Sequence, residues 1–489
     1  MSTRSAYDRS LAEFAGNGGL PPANDLLVLT AALTTTADLT IGDSSARDML
    51  ADIVVHRDPE TAVPMIPATA QSGVLRHAIG ARLGDEDAVV LFGEPAHIDH
   101  FDHPAALHPR DALARTGGPA VRLRTGNTVD PSTRSVHPGG LYTTETVPEG
   151  TVFDLLWQIW LPSGDDKPRT ARILTALAAA GALLDNADLR FGQRTNAGRG
   201  AVRAGRWRAR LLRLTTSPED ARTWFTTAYP DVATLTGGTV FPRVGAALEA
   251  VRPGDDASWP TSFGGAPERA ATCTITGTLQ VAEPLADTVV PATARTVPGD
   301  KPVDSGAAVK ALLRATALRA VEFLALPTGS DDDHAQARRR GRDLVAALFG
   351  PHPAEPVRVP TASRIAVDEH ALTGSHPIAL NRVPINPLTR APVSGRTGIG
   401  AVQAQYGGAR PLTITVSRPS AVERGVLALV VKDLCAGLAT LGGPHRRMLD
   451  PASVTFDFAG RTRTSWSAIS ADPDLARDVA ALVAHIRGR

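Results

Sequence analysis

The order of features along this chain runs twice, and that duplication constrains the fold more than any single motif does. The first copy opens with the run from Asp25 to Asp43, where apolar and small polar residues intermix over a length suited to a long strand. The second opens with Ala271 to Asp287, where Thr274, Thr276, Thr278 and Gln280 alternate with Ile275, Gly277, Leu279 and Val281. A turn and a helix follow in each, through Ile66-Pro67 to Arg76 and through Gly306 to Arg314 and Arg319, with Thr69 or Ser305 expected to cap the helix. A helix start of this kind offers unpaired N–H groups to a phosphate. Phe92-Gly93 and Phe349-Gly350 end the next segments, and polar loops follow that carry Arg124 with Asp130-Pro131, and Arg382 with Asn386-Pro387. Each copy then has a second extended stretch, Gly140 to Phe153 and Gly398 to Val416, an Ala/Leu-rich helix, Thr170 to Leu184 and Glu423 to Leu438, and a Gly/Arg loop.

This order, strand–helix–strand–strand–helix–strand, predicts an α+β chain of two tandem ferredoxin-like domains. The expected boundaries are 24–217 for the first, 218–270 for a Pro/Gly/Asp-rich linker, 271–465 for the second and 466–489 for a closing amphipathic helix. A length of 489 residues with 43% hydrophobic and 21% charged residues is enough to bury a sizeable core in each copy.

Charge and cysteine narrow the function classes. The formal net charge is only +1, so any nucleic-acid surface must be local. Arginine supplies such patches between Arg190 and Arg210 and again at Arg338 to Arg342. The two cysteines, Cys273 and Cys435, stand far apart and form no zinc or disulfide pattern, which fits a reducing cytoplasm. The stretch before Asn24 lacks an apolar signal core, and Ile173 to Leu184 is too short to span a bilayer. No Walker A, Rossmann, GxSxG or HExxH pattern is present.

Ile66-Pro-Ala-Thr-Ala-Gln-Ser-Gly-Val-Leu-Arg76 resembles the Ile-Pro-Gly-Ser-Ser-Leu-Lys-Gly-x-Leu-Arg motif of the RAMP superfamily, and more narrowly of the backbone subunits of type III CRISPR effector complexes. The segment through Asp130-Pro-Ser-Thr-Arg134, Gly139 to Glu145 and Val147-Pro-Glu-Gly150 resembles the thumb hairpin of that family, and Gly192 to Gly200 resembles its closing glycine-rich loop. Ala68 and Ser72 stand where the motif has Gly and Lys, Asp304 stands where copy two should have Ile, and Gly306 and Lys310 keep the pattern.

The resemblance implies a crRNA-binding subunit that stacks along a guide and lets a loop acid cut the complementary target RNA with a divalent metal, Mg²⁺ or Mn²⁺. Its implied partners are the crRNA, the target RNA, a large polymerase-like signalling subunit and further RAMP subunits, with no membrane. The implied cutting residues are Asp52 and Asp287. Leu285-Ala-Asp287-Thr-Val-Val290 echoes Leu50-Ala-Asp52-Ile-Val-Val55, although counting from the strand start matches Asp287 to Asp43 instead. The implied RNA contacts are Arg76, Arg124, Tyr142, Arg194, Arg199, Lys310, Arg314, Arg382 and Arg446.

Each assignment has a plainer alternative. A loop Asp is often a solvated turn residue, and Tyr142 serves either as a base-stacking platform or as a packed hairpin aromatic. His56 lies in the same loop as Asp52, and the tract His97 to His103 matches no zinc spacing. Two other functions stay open: a purely structural guide-binding subunit, and a guide-processing ribonuclease.

Overall fold

The computed structural model describes residues 24–43, 50–94, 104–118, 120–129, 136–162, 166–254, 259–263, 272–281, 303–304, 306–326, 331–351, 362–371, 373–382, 400–441, 447–458 and 460–488. The chain divides into two compact units. Unit 1 comprises Met1–Thr128, Val136–Gln193 and Arg199–Arg269, and unit 2 comprises Val129–Ser135, Arg194–Gly198 and Ala270–Arg489.

Unit 1 is organised on β1 (Asn24–Thr35), followed by the short β2 (Gly42–Asp43), β3 (Val54–Val55) and β4 (Met65–Ile66). Two helices come next, α1 (Ala68–Leu83) and α2 (Asp85–Phe92), then β5 (Leu107–Pro109) and β6 (Ala112–Ala114). A hairpin of β7 (Arg122–Val129) and β8 (Val136–Thr146) leads to β9 (Val152–Pro162), α3 (Lys167–Asp185) and β10 (Val202–Leu212). The sheet runs β10-β1-β9-β6-β4, with β5 also on β9, and all its pairings are antiparallel. This is the ferredoxin-like order, with the first and third strands of the motif in the centre.

The local sequence explains these elements. In α1, Leu75 and Ile79 are fully buried one turn apart, each contributing about 1.5–3 kcal/mol by leaving water. The helix starts at Ala68, so Thr69 lies inside it and does not cap it. The Asp111 carboxylate instead accepts from the Ala68 N–H at 2.7 Å. β1 is apolar on both sides because both faces of its sheet are covered. Leu27, Leu29, Ala31 and Leu33 pack with the helices, and Leu26 and Val28 pack with Val232, Trp160 and Trp224.

That second face revises the expected linker. Residues 218–254 form α4 (Pro218–Thr226), a 3-10 helix (Tyr229–Thr236) and α5 (Val244–Ala250), all within unit 1. Trp224 packs edge-on against Trp160, with ring centroids 5.9 Å apart. The Asp185 carboxylate accepts from Trp207 Nε1 at 2.6 Å and from the Val244 N–H at 3.0 Å, which ties α5 to α3 and β10. Burial raises the Asp185 carboxyl pKa, and these two hydrogen bonds oppose the shift.

Unit 2 repeats the plan. β11 (Thr272–Val281) is followed by β12 (Val303–Asp304), α6 (Gly306–Leu324), α7 (Asp331–Phe349), β13 (Ile365–Val367) and β14 (His370–Ala371). A long ribbon of β15 (Thr373–Arg382) and β16 (Gly400–Ser417) leads to α8 (Ala421–Cys435), β17 (Arg447–Leu449), β18 (Thr455–Phe458) and β19 (Arg461–Thr464). The sheet order is β13-β16-β11-β18-β19, antiparallel throughout, which is the same strand order as in unit 1 with one added edge strand. The chain is therefore α+β, with two tandem ferredoxin-like units, and each inserts a hairpin between its second and third sheet strands.

The C-terminal segment belongs to unit 2. α9 (Trp466–Ser470) and α10 (Pro473–Arg487) close it, with Leu475, Leu482 and Ile486 buried. The Asp472 side chain caps α10 by accepting from the Asp474 and Leu475 N–H groups. Arg424 of α8 makes a bidentate pair with Asp478 of α10 at 2.6 and 2.8 Å and lies over the Phe458 ring.

Candidate nucleic-acid interface

Three segments of unit 1 meet at the base of the β7–β8 hairpin: residues 36–43 and 50–58, the hairpin strands, and the chain flanking the glycine-rich loop. The Leu39 and Val147 backbones exchange hydrogen bonds, the Gln193 N–H donates to Thr40 O, and the Gly200 N–H donates to Asp38 O. The Asp38 side chain pairs with Arg124 at 2.8 Å and also accepts from the Glu149 N–H.

Asp52 stands exposed at this junction. Its N–H donates to Thr143 O at 2.9 Å, and its Oδ2 accepts from the Thr143 N–H at 2.7 Å. One residue further, Ile53 bridges Thr144, and the Glu145 N–H donates to Ile53 O. The Glu145 carboxylate then accepts from the Val55 N–H at 2.9 Å and from both terminal nitrogens of Arg57 at 3.0 and 3.2 Å. His56 Nδ1 lies 3.4 Å from Asp43 Oδ2 on the neighbouring strand.

The other sequence candidates sit as follows. Tyr142 lies across the hairpin, so close that a Cβ added at Gly126 would be 2.1 Å from its hydroxyl oxygen. Arg199 is buried in unit 1, whereas Arg194 adopts a left-handed backbone and opens the 3-10 turn Thr195–Ala197 grouped with unit 2. Arg76 points to the end of α2, where Nη2 donates to Phe92 O at 2.8 Å and to Gly93 O. In unit 2, Arg314 Nη1 donates to Pro351 O at 3.3 Å. Lys310 sits one turn earlier on α6, and burial, with Arg314 as a lesser cause, draws its pKa down to about 8. Arg382 lies on β15 opposite Gly400. Asp287, Arg446 and the tract His97 to His103 lie outside the described residues.

The structure thus brings Asp52, Arg124 and Tyr142 to one hairpin base and places Arg76 elsewhere in the same unit. Residues 32–203, which contain this junction, match the family model of the RAMP superfamily. The matched segment lies mainly in the first unit.

Comparison with solved structures gives 185 significant chain matches. One is a chain from the cryo-EM structure of the type III-B Cmr-beta complex bound to cognate target RNA. It is 16% identical, the match covers 42% of this chain and 65% of that one, and the TM-score is 0.30. This match spans less than two thirds of that chain's own length. Comparison with curated protein sequences gives no significant match.

Within the matched segment, sequence reasoning missed Glu145, Arg57 and Asp38. Glu145 was visible as the last residue of the hairpin segment, and Arg57 as a cation in the loop after Asp52, but no linear spacing links them. Among the described residues, no group of three or more His, Cys, Asp or Glu side chains is arranged to hold a metal. A single carboxylate such as Asp52 would give a Mg²⁺ ion one ligand, with water and phosphate supplying the rest. Among the described residues, no helix is long and apolar enough to cross a membrane.

Proposed function

We propose that this chain is a crRNA-binding backbone subunit of a type III CRISPR effector complex, and that Asp52 takes part in cutting the complementary target RNA. The observation that carries this reading is the placement of an exposed carboxylate, held to Thr143, at the base of the β7–β8 hairpin. The repeated topology of unit 2 extends it to two successive guide-binding modules.

The chemistry asked of the site is modest. A splayed target nucleotide carries its own nucleophile, the 2′-hydroxyl. That oxygen gives up its proton to a base or water and attacks the adjacent phosphorus, a 2′-O–P bond forms, and the P–O5′ bond breaks with the leaving O5′ taking a proton from water, which leaves a 2′,3′-cyclic phosphate and a 5′-hydroxyl. A bound divalent ion would supply charge stabilisation at the phosphate. Asp52 needs only its solvent-facing oxygen for this work, as a water-held ligand or as a proton acceptor, because Oδ2 is engaged by the Thr143 N–H.

The test is purification of the chain with its native array and neighbouring genes, sequencing of the RNA that comes with it, and a target-cleavage assay. Discrete guide-length RNA and metal-dependent cutting that Asp52→Ala abolishes are expected. Guide RNA with no cutting leaves a structural subunit, and cutting of precursor RNA by the isolated chain makes it a processing enzyme. Random cellular RNA released at modest salt overturns the reading.

A further inference from the structure

We infer that Glu145 and Arg57 are positioning residues that lock the Asp52 loop to the hairpin, an inference that rests on the reading of Asp52 above. Residues 52–57 run alongside β8, and beside the backbone bonds of Ile53 to Thr143 and Glu145 two links that involve side chains hold them to it. The first is the reciprocal backbone and side-chain pair between Asp52 and Thr143, at 2.9 and 2.7 Å. The second is the Glu145 carboxylate, which takes three donors from the same loop.

The second link is the stronger. A bidentate arginine–carboxylate pair fixes both distance and plane, and the Glu145 side chain is only 13% exposed against 31% for Arg57, so water competes weakly for it. Arg57 Nη1 also donates to Val55 O at 3.2 Å, which curls the loop back on itself. By contrast, Asp52 is exposed, and the other ties of its loop to β8 are the Asp52–Thr143 pair and the backbone bonds of Ile53 to Thr143 and Glu145, so loss of the Glu145 clamp removes the ion pair that anchors the loop and lets the Asp52 side chain shift. An extended chain rises about 3.3 Å per residue, so a slip of the 52–57 segment by one position would carry the carboxylate away from any phosphate presented at the hairpin. The sequence keeps the parity this requires. Thr143 and Glu145 project to one side of β8, so the Asp52 tie and the clamp belong to the same edge.

The clamp touches no substrate in this scheme. Its effect is on the position of Asp52 and therefore on the rate of cutting, with guide and target binding spared. Glu145→Gln keeps the shape and an acceptor for the Val55 N–H while removing the ion pair. Arg57→Gln removes the same pair from the other side.

The experiment uses the complete complex purified with its guide, and measures single-turnover cutting and target affinity separately. Wild type, Asp52→Ala, Glu145→Gln, Arg57→Gln and the Glu145→Gln/Arg57→Gln double variant are compared. Each single variant is expected to cut about 10- to 100-fold more slowly, since displacement of a reacting group by about 1 Å has effects of this size. Guide content and target affinity should match wild type, and the double variant should be no slower than the worse single one, because the two residues act as one unit. Variants that cut at the wild-type rate while Asp52→Ala is inactive overturn the clamp and leave the Asp52 reading standing. A wild-type complex that binds target and never cuts it overturns both. Loss of guide RNA from the single variants also overturns the inference, since that outcome makes the pair part of RNA binding or folding.

Discussion

Arg76 and Arg314 make the same kind of contact in the two halves of the chain. Each rises from the first long helix of its unit and donates to backbone carbonyl oxygens close to where the next helix ends: Phe92 and Gly93 at the end of α2 for the first, and Pro351, two residues past α7, for the second. Helix C-termini leave carbonyl groups without intrahelical partners, and a guanidinium supplies both donors and favourable charge there. Replacing either arginine by alanine should destabilise its own unit by about 1.5–3 kcal/mol, the range for hydrogen bonds to charged groups. Thermal or urea unfolding read separately for each unit checks this. If the two arginines act only through this cap, guide affinity of the folded variants stays at the wild-type value.

That contact also marks how far the sequence could be read. The duplicated order of strands and helices was legible because hydrophobic periodicity and turn residues are local signals, and β1, α1, α3, β11 and α8 fall where those signals put them. Phe92-Gly93 and Phe349-Gly350 were visible as repeated punctuation, but the partner of each lies a helix away, and nothing in the linear spacing assigns Arg76 to a carbonyl oxygen. The segment 218–270 was read as a linker from its composition. Its few large apolar residues, Trp224, Val232, Val244 and Leu248, decide the matter, since they are what cover the second face of β1 and the flank of α3. The Asp52 junction was legible in part. The loop and the hairpin were both singled out, and the Glu145–Arg57 clamp between them depends on folded proximity alone.

Lys310 carries a pH signature. Its folded pKa is depressed from the ordinary 10.5 to about 8, so the folded chain holds fewer protons than the unfolded chain between those values. Stability therefore rises with pH across that window, and the cost of the buried charge is fully present below it. Lys310→Met should raise the melting temperature of unit 2 near neutral pH, and the difference should close above about pH 10.5. If Lys310 also grips a phosphate, the same variant binds RNA less tightly and lowers the salt slope of binding by about 1. A melting-temperature gain that persists unchanged at high pH would contradict the titration.

Tyr142 and Gly126 form a second coupled pair. The phenol end of the ring lies against the glycine, and a Cβ there would come within 2.1 Å of the hydroxyl oxygen and 2.3 Å of Cζ. Gly126→Ala must therefore lift the ring. If Tyr142 stacks on a base, Tyr142→Ala weakens RNA binding by about 1–3 kcal/mol, and Gly126→Ala reproduces part of that loss without touching the aromatic. Filter binding or anisotropy with guide-length RNA measures both. Equal affinity in all three proteins would make Tyr142 a packing residue of the hairpin.

Gly200 and Gly73 give opposite responses to the same substitution. Gly200 has φ of +78°, and a Cβ there would sit 1.9 Å from Phe191 O. Its own carbonyl accepts from the Phe191 N–H at 2.8 Å, and its N–H donates to Asp38 O at 2.8 Å, so the backbone cannot rotate away without giving up both bonds. The left-handed conformation alone costs an alanine about 1–2 kcal/mol, and the clash adds to it. Gly73 lies on the exposed face of α1, with nothing within 4 Å of its added Cβ, and alanine there favours the helix by about 0.5–1 kcal/mol. Gly200→Ala should therefore lower the melting temperature of unit 1 and Gly73→Ala should raise it. Because Gly200 holds Asp38, and Asp38 pairs with Arg124 at the hairpin base, Gly200→Ala should also weaken guide binding in whatever fraction of the protein still folds. Gly73→Ala should leave binding unchanged. A Gly200→Ala protein with wild-type melting temperature and guide affinity would mean that the loop closes in some other way.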